Sequence, residues 1–362
     1  MRTATKLKTA ALAVFISLSL TACDPPIPQS LLVSQAELEV QCEQGDVSVA
    51  VPDSLVDLGF SWSDSLLFAC EGMVFNQLDN TAPEADIVIS EQSLIAGRCT
   101  PFATVPVAID AAVLVVNIPE FSEVFLSAQQ IVDIFNGTIT NWSDPALVEL
   151  NGDYPLPDLA IVLPTEATAS AKSALSDWIG RLAGVPLDLS GVADATDFNE
   201  IALATPAEEG GIGIASYGAA GYQISSMVAI VTDPANPESY IRADYASLLS
   251  AKTQLTSKID GSTLTIALDP SIEPTPEEGL DTVVPPYQAL YAANMALCGE
   301  DTTLKRTLAR YLLRQDSQGV IAAATMMPLP EAIRIEAIQI VIVGLPVPTP
   351  AATEDTEGTV EG

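Results

Sequence analysis

The pattern of apolar and polar residues predicts strands followed by helices in several parts of the chain. Alternating or continuous apolar runs predict strands at residues 47–51, 85–94 and 104–117, the last being rich in valine and therefore a candidate for a buried strand. Helical spacing predicts helices at residues 55–73 and 304–318. Because the 362 residues exceed the usual size of one domain, we expect two lobes.

Residues 131–150 combine a helix, a tight turn and a tryptophan. Ile131, Ile134 and Phe135 recur at helical spacing, and Asn136-Gly137 predicts a left-handed C-cap. A turn that begins another short helix is predicted by four residues, Asn141, Ser143, Asp144 and Pro145. Spacing alone is typical of ordinary packing.

The first 23 residues resemble an export signal. Arg2, Lys6 and Lys8 precede an apolar run at residues 10–20, which is too short to span a bilayer. The run ends in LTAC, which resembles a bacterial lipoprotein cleavage site. We therefore expect a signal peptide at residues 1–22, a lipid on Cys23, a spacer at residues 23–37 and a location on the outer face of the cytoplasmic membrane.

The chain is strongly acidic, and this excludes one class of partner. Its formal net charge is −33, so we expect no binding to nucleic acid. The acids are scattered without EF-hand spacing, which favours a solvated acidic surface over a calcium site. The end, residues 346–362, is acidic and proline-containing, and is predicted to be disordered.

The chain contains no histidine, so zinc sites, Ser-His-Asp triads and Cys-His nucleophiles are excluded. We expect no catalytic residues, no metal and no cofactor. Besides Cys23 there are four cysteines, Cys42, Cys70, Cys99 and Cys298. In an exported chain these suggest two disulfides, with three possible connectivities.

One pattern in the segment 131–150 is more specific than its spacing, and its residues are Phe135, Gly137, Ile139, Trp142, Asp144, Leu147, Leu150 and Asn151. This pattern resembles a segment of the phosphate-binding proteins of ABC phosphate importers. It implies a two-lobed α/β fold of the type II periplasmic-binding-protein kind, a monomer that delivers its ligand to an ABC permease. The implied limits are residues 38–117 plus 283–345 for lobe one and 118–282 for lobe two. Within that frame we predict the pairs Cys42–Cys70 and Cys99–Cys298.

The resemblance also implies a ligand site between the lobes. Its predicted residues are Ser54 and Leu55 after the first strand, Ser90 and Glu91 after a later strand, and Thr165, Thr168 and Ser170 before a helix. The family has an aspartate where this chain has Glu91, and an arginine that clamps the anion where it has Thr165.

Other positions depart from the family as well. Ala167, Ala169, Ser170 and Ala171 replace residues of the family's anion-binding loop, and a first-lobe loop between residues 73 and 86 is predicted to be shortened or lost. Alternatively, Glu91 is a surface acid in a turn. Lys172, the one cation nearby, is predicted to face solvent.

Two further motifs have competing interpretations. The glycine-rich residues 208–221 resemble a phosphate cradle, but in the family they mainly allow close backbone approach. Arg306, Arg310 and Arg314 share one helix face, which predicts ion pairs with neighbouring acids or a docking face for an anionic partner.

The function these features favour is a solute-binding lipoprotein that captures phosphate, another oxyanion or a polar solute between its lobes. The alternative is a lipoprotein with a retired cleft that has a sensory or interaction role. An enzyme is the least favoured hypothesis, since no nucleophile or metal motif is present.

Overall fold

The structure is a computed structural model that describes residues 42–343, except residues 83, 153–155, 196–199, 237 and 277–281. The predicted signal peptide, the Cys23 anchor, the spacer and the acidic tail lie outside the described residues. No helix within the described part of the chain combines the length and apolar character needed to cross a membrane.

The described residues form thirteen strands. They are β1 (Gly45–Ala50), β2 (Met73–Leu78), β3 (Ile87–Ser90), β4 (Pro101–Asn117), β5 (Glu123–Ser127), β6 (Glu166–Ala167), β7 (Ala193–Asp194), β8 (Gly211–Ser216), β9 (Ser226–Val231), β10 (Tyr240–Ile241), β11 (Leu255–Asp260), β12 (Thr263–Leu268) and β13 (Leu290–Cys298).

Eleven α-helices accompany these strands in the same part of the chain. They are α1 (Val56–Ala69), α2 (Gln92–Ile95), α3 (Ala128–Phe135), α4 (Pro145–Leu150), α5 (Ala169–Ala183), α6 (Glu200–Leu203), α7 (Tyr217–Gln223), α8 (Tyr245–Lys252), α9 (Thr303–Leu312), α10 (Gln315–Gly319) and α11 (Glu331–Val341). The predicted strands at residues 47–51, 85–94 and 104–117 correspond to β1, β3 and β4, and the helix predicted at residues 304–318 is divided into α9 and α10.

Strand β4 connects two half-sheets. Its first part, Pro101–Ala111, pairs antiparallel with β13, which continues the first half-sheet through β3 to the parallel strands β1 and β2. Its second part, Ala112–Asn117, pairs antiparallel with β8 and, at its end, with β9 of the second half-sheet. The side chains from Ala103 to Val116 are buried, which confirms the predicted buried strand.

The hairpin of β11 and β12 belongs to the first half-sheet by hydrogen bonding. Thr263 of β12 pairs with Thr104 of β4, although the predicted limits assign residues 118–282 to lobe two. The lobe limits stay a prediction, and this pairing favours placing the hairpin with lobe one.

The segment that carries the family resemblance folds as its sequence predicts. Gly137 has a φ of 78° after α3, and Asp144 caps α4 by accepting a hydrogen bond from the N–H of Ala146 at 2.9 Å. Trp142 is fully buried, and its Nε1 donates to the carbonyl of Gly210 at 2.8 Å. The helix, turn and tryptophan thus fasten this segment to the glycine-rich residues.

Gly210 shows why the glycine-rich residues are needed. Its φ is 81°, and a Cβ at this position would collide with the carbonyl oxygen of Ala160. The geometry therefore shows that Gly210 allows two backbone segments to approach closely. This agrees with the interpretation of residues 208–221 as a close-approach segment and not with a phosphate cradle at Gly210.

The arginine-bearing helix face is turned inward. Arg306 is buried, pairs with Asp301 and donates to the carbonyls of Ile340 and Val341. Arg314 pairs with Asp316 at 2.8 Å, and Arg310 is buried. The ion-pair interpretation is confirmed for Arg306 and Arg314, and the docking face is wrong because the stripe is covered.

Both predicted disulfides are present. Cys42 is bonded to Cys70, 28 residues away, and Cys99 is bonded to Cys298, 199 residues away. The second bond lies at the edge of an apolar cluster that contains Ala50, Val88 and Ile95. This bond therefore joins the segment just before β4 to the last residue of β13.

We expect the longer loop to make Cys99–Cys298 the more stabilising bond. By loop-closure entropy, replacing both cysteines by alanine costs about 5 kcal/mol for Cys99–Cys298 and about 3.5 kcal/mol for Cys42–Cys70. Denaturant unfolding of the two double variants measures this difference. The smaller loss for the Cys99–Cys298 pair would contradict it.

Candidate functional site

The first site residues follow β1. A 3-10 turn, Asp53–Leu55, leads into α1, and both Ser54 and Leu55 are buried. The hydroxyl of Ser54 donates a hydrogen bond to Oε2 of Glu200 at 2.9 Å. Glu200 is the first residue of α6 and is only 8% exposed. The predicted ligand position Ser54 is thus bonded to a carboxyl of the protein itself.

A second predicted ligand residue, Glu91, is also hydrogen-bonded to the protein itself. Glu91, which follows β3 and is 2% exposed, accepts a hydrogen bond at Oε2 from the backbone N–H of Ser170 at 3.0 Å. Ser170 is the second residue of the 15-residue helix α5. A carboxylate at a helix N-terminus is stabilised by unpaired N–H groups and the helix dipole. The surface-acid interpretation of Glu91 is therefore wrong, because the side chain is buried and bonded to this helix.

A third carboxyl lies where β4 passes from one half-sheet to the other. Oδ1 of Asp110 accepts from the N–H of Ala111 at 2.7 Å and from the N–H of Gly218 at 3.2 Å. Gly218 belongs to the first turn of α7, so Asp110 meets the N-terminal end of that helix. Asp110 is 2% exposed.

The buried carboxyls influence one another. Burial, together with the nearby charges of Asp110 and Glu91, raises the pKa of Glu200 to about 8, against the effect of the hydrogen bond from the Ser54 hydroxyl. Burial also raises the pKa of Asp110 to about 7, against the effect of the backbone N–H groups that bond to it. Both groups therefore bind protons near neutral pH.

Tyr291 of β13 lies beside the same group of acids. Its pKa is raised well above the usual value by burial and by the charges of Asp110, Glu200 and Glu91, while a hydrogen bond with Ser216 lowers it. We call Glu91, Asp110 and Glu200 the acid cluster. All three acids of the cluster raise the pKa of Tyr291.

A cavity of about 330 Å³ lies between α5 and the strands β12 and β13. Ser170, which donates to Glu91, and Tyr291 both line it. Farther along α5 its wall includes Asp177 and Arg181, and the opposite wall is formed by β12 and β13. Arg181 donates to Gln288 at 3.2 Å, so the arginine lies away from the acid cluster, at the far end of α5.

Ser90 adds an unusual polar group to this region. Its hydroxyl is buried, the residue is 1% exposed, and the hydroxyl has no hydrogen-bond partner among the residues that the structure describes. Ser90 pairs directly with Asn294 of β13, and opposed residues of antiparallel strands point to the same face of a sheet. Asn294 lines the cavity, so Ser90 belongs to the face that borders it.

The predicted ligand residues separate into two groups. Ser54, Glu91 and Ser170 make the hydrogen bonds that join residues assigned to different predicted lobes. Thr168 is buried as the N-cap of α5, without a side-chain capping bond. Thr165 is exposed and lines another cavity, of about 310 Å³, together with Glu208. The ligand roles of all seven predicted residues stay predictions.

Lys172 does not face solvent as predicted. Its Nζ donates to the carbonyl of Val192 at 2.7 Å and pairs with Asp194 at 2.6 Å. The lysine therefore connects α5 to β7 because a carbonyl and a carboxylate are both within reach. Lys172 is therefore engaged with Val192 and Asp194 and does not supply a positive charge to the predicted ligand site.

Sequence reasoning missed Asp110, Glu200 and Tyr291. Asp110 was visible as a single charge inside the apolar run of residues 104–117, and a charge inside a buried strand is costly unless it has a function or partners. Glu200 and Tyr291 carried no comparable signal, since their neighbours do not form a recognisable motif. Within the described residues, no group of His, Cys, Asp or Glu side chains has the arrangement needed to hold a metal ion.

Two half-sheets joined through β4, with polar groups meeting between them, define a two-lobed α/β solute-binding-protein fold. Residues 82–313 match the family model described as the PBP superfamily domain. Because this match covers more than half of the chain, the chain belongs to the PBP superfamily.

Individual relatives match shorter parts. The phosphate-binding protein PstS of Pasteurella multocida is 43% identical over 60 residues, which cover 16% of this chain and 17% of that protein. PstS 3 of Mycobacterium tuberculosis is 31% identical over 83 residues, covering 23% of this chain and 22% of that protein. The structure of a phosphate-binding protein from Stenotrophomonas maltophilia aligns with a TM-score of 0.48 at 14% identity, over 82% of this chain and 94% of that one.

The raised pKa values predict a specific pH dependence of stability. Because the folded-state pKa values of Asp110 and Glu200 exceed ordinary carboxyl values, their contribution is complete below about pH 4 and is lost as pH rises through about 7 and 8. We expect the melting temperature to fall by several degrees between pH 5 and 8.5. Glu200→Gln should flatten this slope, whereas the exposed control Glu209→Gln should not. Identical slopes in the two variants would contradict the assignment.

Proposed function

We propose that this chain is the exported solute-binding component of an ABC importer and that it captures a small polar solute between its two lobes. The observation that carries the proposal is the pair of hydrogen bonds across the predicted cleft, Ser54 to Glu200 and Ser170 to Glu91. Polar groups from different parts of the chain converge there beside a cavity of about 330 Å³. Membership of the PBP superfamily supports the same function.

Phosphate is the ligand named for the two relatives, but the site of this chain differs in charge. Glu91 occupies the N-terminus of α5 and Asp110 that of α7, so two helix ends that would attract an anion already hold carboxyls. Thr165 stands where the family has an arginine. A dianion from water needs charged donors to replace its hydration, and neutral hydrogen bonds contribute only about 1 kcal/mol each.

A second candidate function follows from the same hydrogen bonds. If Glu91 and Glu200 replace a ligand permanently, the cleft is retired and the lipoprotein has a sensory or interaction role. Calorimetry distinguishes the two functions, because a retired cleft gives no saturable heat with small solutes. We propose in either case that the protein is not an enzyme and acts as a monomer.

We expect phosphate to bind more weakly than micromolar at low salt, because the anion would have to displace or neutralise Glu91. Glu91→Gln should strengthen phosphate binding at least tenfold by removing that charge from the N-terminus of α5. The matched control is Glu84→Gln, an exposed acid of the same charge. Isothermal titration measures both, and sub-micromolar binding by the unmodified protein would refute the expectation.

Lipid anchoring is a separate proposal that rests on the first 23 residues of the sequence. We expect Cys23→Ala to move the protein from the detergent phase to the aqueous phase, because the thiol that accepts the lipid is removed. Metabolic labelling with a fatty acid gives an independent measurement. An unchanged partition of the variant would show that the anchor lies elsewhere.

A further inference from the structure

We propose that the solute held between the lobes is a zwitterion, an α-amino acid with a long uncharged polar side chain, whose carboxylate is bound by Arg181 and whose ammonium group is bound by Asp177. This inference rests on the proposed solute-binding function and names its ligand class. Both residues line the cavity of about 330 Å³ between α5 and the strands β12 and β13. Helix α5 belongs to the predicted lobe two and β13 to the predicted lobe one, so a solute in this cavity contacts both.

The charges on the cavity wall cancel. Among the described residues that line the cavity, Arg181 is the one cation and Asp177 the one carboxylate. The charge of Asp177 raises the pKa of the Arg181 guanidinium, against the effect of burial, so the two groups are close enough to influence each other. A lone anion at Arg181 is repelled by Asp177, and a lone cation at Asp177 is repelled by Arg181. A zwitterion pairs with both.

The spacing of the two groups limits how far apart the charges of the ligand lie. Asp177 and Arg181 are four residues apart on α5, which places them on the same helix face with about 6 Å between their Cβ atoms. The carboxylate and ammonium groups of an α-amino acid are attached to one carbon and can meet both side chains at once. A solute whose two charges are separated by many bonds does not match this spacing.

Arg181 is oriented by a chain of amide side chains. It donates to Oε1 of Gln288 at 3.2 Å, and Nε2 of Gln288 donates to Oε1 of Gln254 at 2.8 Å. Gln254 is 2% exposed and donates to the carbonyl of Ile272 at 2.6 Å. The bond to Gln288 leaves further N–H donors of the guanidinium for a carboxylate, which this planar group binds through two parallel hydrogen bonds.

The rest of the cavity has room for a long side chain. The wall continues along α5 from Arg181 back to Ser170, about 16 Å along the helix axis at 1.5 Å per residue. Leu268 and Leu290 are apolar parts of the lining that can contact methylene groups. The volume of about 330 Å³ lies at the lower end of the range for organic ligands.

A separate observation indicates that the end of the side chain is polar. The buried Ser90 hydroxyl has no hydrogen-bond partner among the residues that the structure describes, although buried polar groups are normally paired. Its strand partner Asn294, which is 5% exposed, lines the cavity and places Ser90 on the face that borders it. An amide or urea group of the ligand would provide the missing hydrogen bond, since a hydroxyl both donates and accepts.

The experiment is isothermal titration of the full chain in imidazole buffer at pH 7, which contains neither a carboxylate nor a primary amine. The zwitterionic probes are L-citrulline, L-glutamine and the apolar L-norleucine. N-acetyl-L-glutamine lacks the ammonium group and L-glutaminamide lacks the carboxylate, and inorganic phosphate and D-glucose represent other ligand classes. We expect saturable binding of L-citrulline or L-glutamine. Norleucine and each singly charged analogue should bind at least tenfold more weakly.

Variants test the charged pair directly. Asp177→Asn removes the carboxylate that repels an anion, so it should weaken L-glutaminamide and strengthen N-acetyl-L-glutamine. Arg181→Gln should shift the same two affinities in the opposite directions. General damage to the fold would weaken both analogues together. Asp64→Asn makes the same charge change as Asp177→Asn at an exposed position of α1 and should leave every affinity unchanged.

The remaining outcomes separate this inference from the proposed function. Binding of phosphate or glucose without binding of the zwitterions would overturn the ligand class and leave solute binding intact. Equal affinities for L-glutamine and N-acetyl-L-glutamine would show that the ligand is an anion. Parallel shifts of both analogues in the two variants would remove Asp177 and Arg181 from the binding site. Absence of saturable heat with all probes would overturn both proposals and favour the retired cleft.

Discussion

Strand β4 is the constraint on which the rest of the molecule depends. One continuous strand, Pro101–Asn117, supplies hydrogen bonds to the first half-sheet with its beginning and to the second with its end. Such a strand must be apolar on both faces, and its side chains are buried from Ala103 to Val116. Asp110 interrupts that run one residue before the partner changes from β13 to β8, and its cost is offset by N–H groups of α7.

The placement of Asp110 links the architecture to the chemistry of the cleft. Asp110 lies within a buried strand, and its carboxyl is held by the N–H groups of Ala111 and Gly218. Glu91 and Glu200 are held by backbone and hydroxyl donors from other elements, so their surroundings depend on how the lobes meet. The charge of the cluster and the arrangement of the lobes are therefore coupled through the same few hydrogen bonds.

Local patterns predicted the scaffold well and the site only in part. The helix, turn and tryptophan of residues 131–150 and the buried strand β4 followed from spacing, because short-range capping and burial determine them. Both disulfides were predicted from the positions of the cysteines relative to the first helix and the strands of lobe one. Glu200 could not be predicted, since its role arises from a contact with Ser54, 146 residues earlier in the chain. Lys172 was assigned to solvent because a helical position alone does not reveal that Asp194 lies beside it.

The Cys99–Cys298 bond has a consequence for the integrity of the molecule. Every element from β5 to β12 lies between these two cysteines, so the second half-sheet is enclosed in a covalent ring of chain. A protease that cuts one peptide bond within the ring leaves a single covalent molecule, with both new ends still attached to the first half-sheet. At the proposed extracytoplasmic location, one cut would therefore leave both fragments covalently joined, and two cuts within the ring would be needed to lose any part of the second half-sheet.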